Sequence, residues 1–78
     1  MHAEDLLAAL RRRPFVPFRL RVTEGASYMV RHPDSVLVTR RTAYVAILPS
    51  DDPSQVPDRA AAIALVHITQ LEDMPSAA

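Results

Sequence analysis

The chain has 78 residues and a formal net charge of zero, which does not favour general attraction to a polyanion. It has no cysteine, which excludes disulfides, thiolate metal sites and a cysteine nucleophile, and its single glycine excludes a glycine-rich phosphate loop. Hydrophobic residues make up 49% of the chain, which predicts one folded domain spanning residues 1–78 rather than disorder.

Residues 3–13 are predicted to form an N-terminal helix. Three leucines fall on one face of that helix, and Pro14 is expected to end it. The acids Glu4 and Asp5 would occupy its first turn and arginines 11–13 its last turn, in agreement with the helix dipole. A secretory signal has the opposite charge order, and no stretch reaches the ~18 apolar residues of a membrane span. We therefore predict a cytoplasmic protein with no membrane contact.

The next segment is predicted to be a β-hairpin whose register depends on Gly25. Apolar and polar residues alternate from Phe18 to Thr23, which is typical of a half-buried strand. A three-residue loop over residues 23–25 would place Gly25 in the left-handed conformation. A two-residue turn would move Tyr28 and Val30 to the other face, so we prefer the longer loop. It pairs Val22 with Ala26, Leu20 with Tyr28, and Phe18 with Val30.

The same register places Arg19, Arg21 and Arg31 on the outer face of the hairpin. One interpretation is a solvated face that Glu24 and Asp34 compensate; the other is a contact surface for an anion. Residues 1–48 contain eight arginines and four acids, a charge of +4, whereas residues 49–78 contain one arginine and five acids, a charge of −4. This asymmetry indicates either an anionic partner or neutralisation within the fold.

Two further strands are predicted after a bend at residues 32–34. They cover residues 35–39 and 42–48, and Arg40 and Arg41 form the tight turn between them. Both strands are apolar on two faces, which indicates burial or a protein interface.

The rest of the chain gives weaker signals. Residues 49–58 form a proline-rich loop, expected to be a tolerated surface insertion or a functional loop, and residues 73–78 form a tail. Residues 60–71 fit either of two structures. Alanines and a capping Asp58 favour a helix, whereas Ile63, Leu65 and Ile68 favour strands.

Three motifs resemble those of a group of short uncharacterised bacterial proteins. The motifs are R-x-P-F-x-P-F before the first strand, with Arg12 or Arg13 as the arginine, G-x-x-Y-x-V-x-H-P over residues 25–33, and L-V-H-I-x-x-L-E over residues 65–72. The group often has Asp where this chain has Glu24. The resemblance implies a mainly β fold with one N-terminal helix, namely a five-stranded antiparallel Sm-like or SH3-like small barrel over residues 17–72. It also implies a strand over residues 63–65, a short 3₁₀ turn at Val66 and His67, and a last strand over residues 68–72.

Enzymatic chemistry is not indicated by the sequence. The three histidines are widely spaced, so the sequence predicts neither a metal site nor a cofactor. The acidic cluster at Asp51 and Asp52 lies in the loop, whereas glycosidic chemistry needs two carboxylates held on rigid elements. We therefore predict a protein that is not an enzyme.

Two functions follow from these expectations. The first is a protein-interaction or homo-oligomeric assembly module, because one chain with a single helix covers only one side of such a sheet. The alternative is an Sm-like protein that binds RNA or single-stranded nucleic acid; few aromatic residues are available for stacking in that case. The predicted oligomer contacts are Tyr44, Ala46, Leu48, Ile63, Leu65 and Ile68. The predicted nucleic-acid contacts are Arg19, Arg21, Arg31, Arg40 and Arg41.

Overall fold

The structure is a computed structural model that describes residues 1–48 and 56–74. Most of the predicted proline-rich loop (residues 49–55) and the end of the predicted tail (residues 75–78) lie outside the described residues. The helix is α1 (Ala3–Leu10). The strands are β1 (Phe18–Val22), β2 (Ser27–Val30), β3 (Val36–Val38), β4 (Thr42–Ile47), β5 (Arg59–Ala64) and β6 (Ile68–Asp73).

The strands form two three-stranded antiparallel sheets. The first sheet has the order β2-β1-β6 and the second has the order β3-β4-β5. A 3₁₀ helix at Pro33–Ser35 leads from β2 to β3, and a second one at Leu65–His67 leads from β5 to β6. The mainly β fold with one N-terminal helix is confirmed, and a 3₁₀ helix does precede the last strand.

The expectation of five strands in a closed barrel is wrong for the described residues, which form six strands in two sheets that do not close. The reason lies at the bend after β2. Pro33 has no N–H to donate, and Ser35 N–H donates to the carbonyl of His32 (3.1 Å) within the 3₁₀ helix. The ladder is therefore interrupted there, and β2 and β3 belong to different sheets.

The hairpin has the register predicted from Gly25. Phe18 faces Val30 and Leu20 faces Tyr28, and Val22 N–H donates to the carbonyl of Ala26 (3.0 Å). Gly25 has a φ of 90°, in the left-handed region that the three-residue loop requires. The tight turn at residues 40–41 is also confirmed, since Thr39 N–H donates to the carbonyl of Thr42 (2.8 Å).

The helix is shorter than predicted. It ends at Leu10, and Arg11 N–H closes it by donating to the carbonyl of Leu7 (3.0 Å). Pro14 keeps Arg13 out of the helical region, so the last turn cannot be propagated to that residue. The three arginines therefore follow the helix rather than occupy its last turn.

Residues 59–73 settle the ambiguous segment as strand, 3₁₀ helix and strand. The helical alternative is wrong because the alanines of β5 pair with β4 along its whole length, and tertiary pairing overrides their helix propensity. Strand β6 extends to Asp73, which faces Phe18, so Asp73 belongs to the sheet and not to the tail.

The core lies between the two sheets and α1. Leu6 and Leu10 of α1 belong to one buried cluster with side chains from both sheets. The largest fully buried side chains are Leu6, Phe18, Leu20, Val30 and Val45.

Candidate interaction surfaces

The outer side of the second sheet carries an exposed apolar row. Along β4, Ala43 and Val45 are buried, so the intervening Tyr44 points away from the core. Its direct cross-strand neighbours are Leu37 on β3 and Ala62 on β5. Leu37 is 65% exposed and Tyr44 is 40% exposed. Two large apolar side chains thus lie next to each other in solvent.

The positions around this row are also uncharged. Ala46 faces Ala60 at one end of the sheet, and Thr42 faces Ala64 at the other. Alternation places these four residues on the same side as Tyr44. We call this surface the uncharged face. Its residues are Leu37, Thr42, Tyr44, Ala46, Ala60, Ala62 and Ala64.

The predicted oligomer contacts fall into three groups. Tyr44 and Ala46 lie on the uncharged face. Leu48 follows β4 and is half-buried beside a groove described below. The remaining three are in the core of the single chain, where Ile63 is 7%, Leu65 4% and Ile68 4% exposed, and a second chain cannot reach them.

Sequence reasoning missed Leu37, Ala60 and Ala62. The alternation along β3 does place Leu37 opposite to Val36 and Val38, and that is the signal that was available. Predicting that Leu37 belongs to the exposed row also required the β3–β4 register, which puts Leu37 beside Tyr44.

A groove of about 470 Å³ lies between β2 and the end of β4. Its volume is within the range of roughly 300–1,000 Å³ that is typical of ligand sites. The residues that line it are Ser27, Tyr28, Met29, Arg31, His32, Ser35, Val45, Ala46, Ile47, Leu48 and Arg59.

One wall of the groove is the free edge of β2. In the antiparallel ladder with β1, the hydrogen bond between Val22 and Ala26 fixes which β2 residues face β1. Hydrogen-bonded and non-hydrogen-bonded pairs alternate, so Tyr28 directs its backbone groups to β1, whereas Ser27 and Met29 direct theirs outward. The outward groups point to the groove side, because β2 is an edge strand of its sheet.

The opposite wall is the end of β4 that extends past β3. The ladder between β3 and β4 begins at Val36, which faces Val45. Strand β4 continues to Ile47, while the chain before Val36 is taken up by the first 3₁₀ helix. This leaves a gap in the second sheet beside Ala46 and Ile47, and the groove occupies it.

The charged residues that line the groove are basic. They are Arg31 at the end of β2 and the exposed Arg59 at the start of β5; His32 lies next to Arg31, and none of the described lining residues is acidic. Ser35 Oγ donates to the carbonyl of His32 (2.7 Å), which ties the first 3₁₀ helix to this rim. The floor is apolar and includes Val45 and Ile47.

The five predicted anion contacts do not form one patch. Arg19 and Arg21 lie on the first sheet, and Arg21 forms an ion pair with Glu72 of β6. Glu72 is also the cross-strand neighbour of Arg19, so it supplies the compensation that was expected from Glu24 and Asp34. Arg31 lines the groove, and Arg40 and Arg41 are exposed in the β3–β4 turn of the second sheet.

Arg12 has a structural role that the sequence did not reveal. Its guanidinium donates to both carboxylate oxygens of Asp73 (3.0 and 2.9 Å) and to the carbonyl of Val16 (3.2 Å). It also lies 6.0 Å from the ring centroid of Phe18. The hydrogen bonds from Arg12 hold the pKa of the Asp73 carboxyl below its ordinary value. Arg12 thus ties the segment after α1 to the end of β6.

Residues 1–48 and 56–74 contain no group of three or more side chains suited to hold a metal ion. They also contain no helix with the length and hydropathy to cross a membrane. Comparison with family models, with curated proteins and with solved structures found no match to this chain. Its function is therefore argued from these surfaces alone.

Proposed function

We propose that this protein is a non-enzymatic, cytoplasmic assembly module that forms homo-oligomers through the uncharged face. The observation that carries the proposal is the row of Leu37, Tyr44 and Ala62, in which Leu37 is 65% exposed. A sheet with apolar residues on both sides is stabilised when both sides are buried, and the core of this chain buries only one side of the second sheet.

The shape of the face suits packing against a copy of itself. In a two-fold contact the same patch meets on both chains, so Tyr44 and Leu37 of one chain would lie over the alanines of the other. Alanines at positions 60, 62 and 64 give a shallow surface on the β5 side that accepts larger side chains. Aromatic residues such as Tyr44 are enriched in interface centres.

The size of the face sets the strength of association. Three strands about 4.8 Å apart and about 20 Å long give a face of roughly 300 Å² per chain. Two such faces total about 600 Å², whereas stable interfaces bury about 1,200–2,000 Å². We therefore expect weak self-association with a dissociation constant in the micromolar range, unless neighbouring elements add to the contact.

Size-exclusion chromatography with light scattering tests this proposal. We expect the wild-type mass to rise above that of one chain at tens of micromolar protein, and Leu37→Lys to return it to the monomer. The control is Val66→Lys, because Val66 is 77% exposed but lies on the second 3₁₀ helix. A wild-type monomer at all these concentrations would overturn the proposal, as would a Leu37→Lys variant that associates like the control.

We also propose that the fold is of the Sm-like or SH3-like small-barrel class and that the chain belongs with the bacterial proteins it resembles. Support comes from the two 3₁₀ corners, each of which passes the chain from one sheet to the other. An experimental structure tests this assignment by its strand connections.

Nucleic-acid binding is the second candidate function. The observation in its favour is the pair Arg40 and Arg41, adjacent and exposed in one turn. The ion pair of Arg21 with Glu72 counts against a wider basic surface. The ultraviolet absorbance ratio of the purified protein tests this candidate, since bound nucleic acid raises absorbance at 260 nm relative to 280 nm.

A further inference from the structure

We infer that the free edge of β5 pairs with the β5 edge of a second copy of this chain, which joins the second sheets of two chains into one continuous antiparallel sheet. Two such pairs then meet through their uncharged faces and form a tetramer. The inference deepens the proposed function and rests on it, because the uncharged face supplies the contact between the two pairs.

The backbone of β5 has hydrogen-bonding groups that point away from its own sheet. Leu65 N–H donates to the carbonyl of Arg41 (2.8 Å) directly beyond the β4–β5 ladder, so these two residues form a hydrogen-bonded pair in its register. Hydrogen-bonded pairs recur at every second position, so Ala61 and Ile63 direct their backbone groups to β4. The residues between them direct theirs to the free edge, and these are Ala60, Ala62 and Ala64.

No other described strand pairs with this edge. The order of the second sheet is β3-β4-β5, and none of the backbone hydrogen bonds that residues 1–48 and 56–74 form outside the ladders involves Ala60, Ala62 or Ala64. A cleft of about 330 Å³ lies between β5 and the β1–β2 hairpin, with Ala62 on one side and Tyr28 on the other. The hairpin therefore does not cover the edge.

The β5 edge is also the least protected edge in the two sheets. Strands β2 and β3 are shorter than β5, and β6 ends in Glu72 and Asp73. From Ala60 to Ala64, β5 has no charge and no proline, and its only large side chain, Ile63, is buried in the core. Charges, prolines and bulges are the features that keep natural edge strands from pairing, so this edge favours association.

The outward groups of β5 fit a second β5 strand in one register. In a two-fold antiparallel pair centred on Ala62, this residue faces its own counterpart, and Ala60 faces Ala64 of the other chain. All three positions then exchange main-chain bonds, up to about six in total. Every facing side chain is a methyl group, so no like charges meet. The register also places the rows of Leu37, Tyr44 and Ala62 from both chains end to end.

The area of the joined face is a second reason for a copy of the chain rather than a different strand. Two single faces bury about 600 Å² in total, which is below the range of about 1,200–2,000 Å² for stable interfaces. Edge pairing doubles each face, so two pairs bury about 1,200 Å² and reach that range. One two-fold axis through the β5 pair and another between the faces generate a closed tetramer.

Two substitutions at Ala62 separate the edge from the face. Ala62→Pro removes the outward N–H, whereas Ala62→Val keeps it and adds the same number of carbon atoms to the face. Because this N–H does not bond to β4, proline leaves the β4–β5 ladder in place. By light scattering at hundreds of micromolar protein, we expect the wild type and Ala62→Val to reach the mass of four chains and Ala62→Pro to stop at two. Leu37→Lys should stay a monomer, because strand pairing without a packed face is marginal in water.

Amide hydrogen exchange of the wild type gives a readout that does not depend on any variant. As the protein concentration is raised to the same level, the exchange rates of the Ala60, Ala62 and Ala64 amides should fall at least roughly tenfold. The amides of Ala61 and Ile63 should be protected at every concentration, since they bond to β4 within one chain. Protection that appears only at alternate residues of β5 is specific to strand pairing at this edge.

The inference is overturned if the wild type associates while these three outward amides exchange as fast as in dilute protein. It is also overturned if Ala62→Val stops at two chains like Ala62→Pro, or if Ala62→Pro reaches four. Each of these results leaves the proposed function in place, because the face still joins two chains. A wild type that stays a monomer at every concentration overturns both. Urea midpoints show whether the Ala62 variants are folded, and the exchange measurement decides if Ala62→Pro is not.

Discussion

At the scale of single residues, Gly25 is the position where adding a side chain would strain the hairpin turn. Its φ of 90° is in the left-handed region, and an added Cβ would meet nothing within 4 Å. A substitution there is therefore strained by the backbone alone and not by a clash. For a residue with a side chain, the left-handed conformation costs about 1–2 kcal/mol.

We predict that Gly25→Val lowers the free energy of unfolding by about 1–2 kcal/mol. Ala26→Val is the matched control, because Ala26 is exposed and next in the chain, and its change should stay within about 0.5 kcal/mol. Urea unfolding monitored by circular dichroism measures both. Equal midpoints for the two variants would show that the turn is assigned wrongly.

The ion pair of Arg12 and Asp73 gives a pH-dependent prediction. Arg12 lowers the pKa of Asp73, so the ionised carboxylate is more favoured in the folded state than in the unfolded state. Such a group stabilises the fold above its ordinary pKa of 3.8, and this contribution is lost as the pH falls through the lowered value. The effect is small because the side chains of Arg12 and Asp73 are 33% and 54% exposed.

We predict that Asp73→Asn is less stable than the wild type at pH 7 and that the difference shrinks as the pH is lowered below 3.8. Asn resembles the protonated acid, which explains why the two proteins should converge. Urea titrations across this pH range measure the difference. Arg11→Ala serves as a control, since Arg11 is exposed just after the helix and should show no such convergence. A difference independent of pH would argue against the pair.

At the scale of elements, contacts among the described residues hold the two ends of the β4–β5 hairpin together. Ile47 faces Arg59, and Asp58 N–H donates to the carbonyl of Ile47 (3.0 Å), so the two strand ends are already adjacent. We predict that replacing residues 50–57 with a short Gly-Ser linker changes the free energy of unfolding by less than about 1 kcal/mol, because closure entropy depends only slowly on loop length. Thermal and urea unfolding measure the change, and a larger loss would mean that this segment stabilises the body of the protein.

Elements were predictable where local signals agreed with the tertiary structure. Gly25 and the alternation in β1 were sufficient for the hairpin register, because both act within a few residues. The strand nature of β5 was not decided by sequence, because Ala60–62 have helical propensity and the pairing with β4 outweighs it. The role of Arg12 was not predicted because its contact with Asp73 joins residues 61 positions apart and leaves no local trace.

At the scale of the whole molecule, the sequence predicted strands that are apolar on both faces. It did not predict which of the two faces is buried within the same chain. Ile63, Leu65 and Ile68 were expected at an oligomer contact, yet they complete the core between the sheets. The outward row at Leu37 depends on which residues β3 and β4 bring opposite each other. The groove likewise depends on where β3 stops beside β4, and no single segment encodes that arrangement.

The central claim is that two chains meet through the uncharged face, and isotope-filtered NMR on a mixture of labelled and unlabelled protein tests it most directly. We predict nuclear Overhauser contacts between chains from the Leu37 methyls to the Tyr44 ring and the Ala62 methyl, which lie in one row on each chain. These contacts should disappear in Leu37→Lys and persist in Val66→Lys. A sample at tens of micromolar or above with no contacts between chains, or with contacts only from residues outside this face, would contradict the claim.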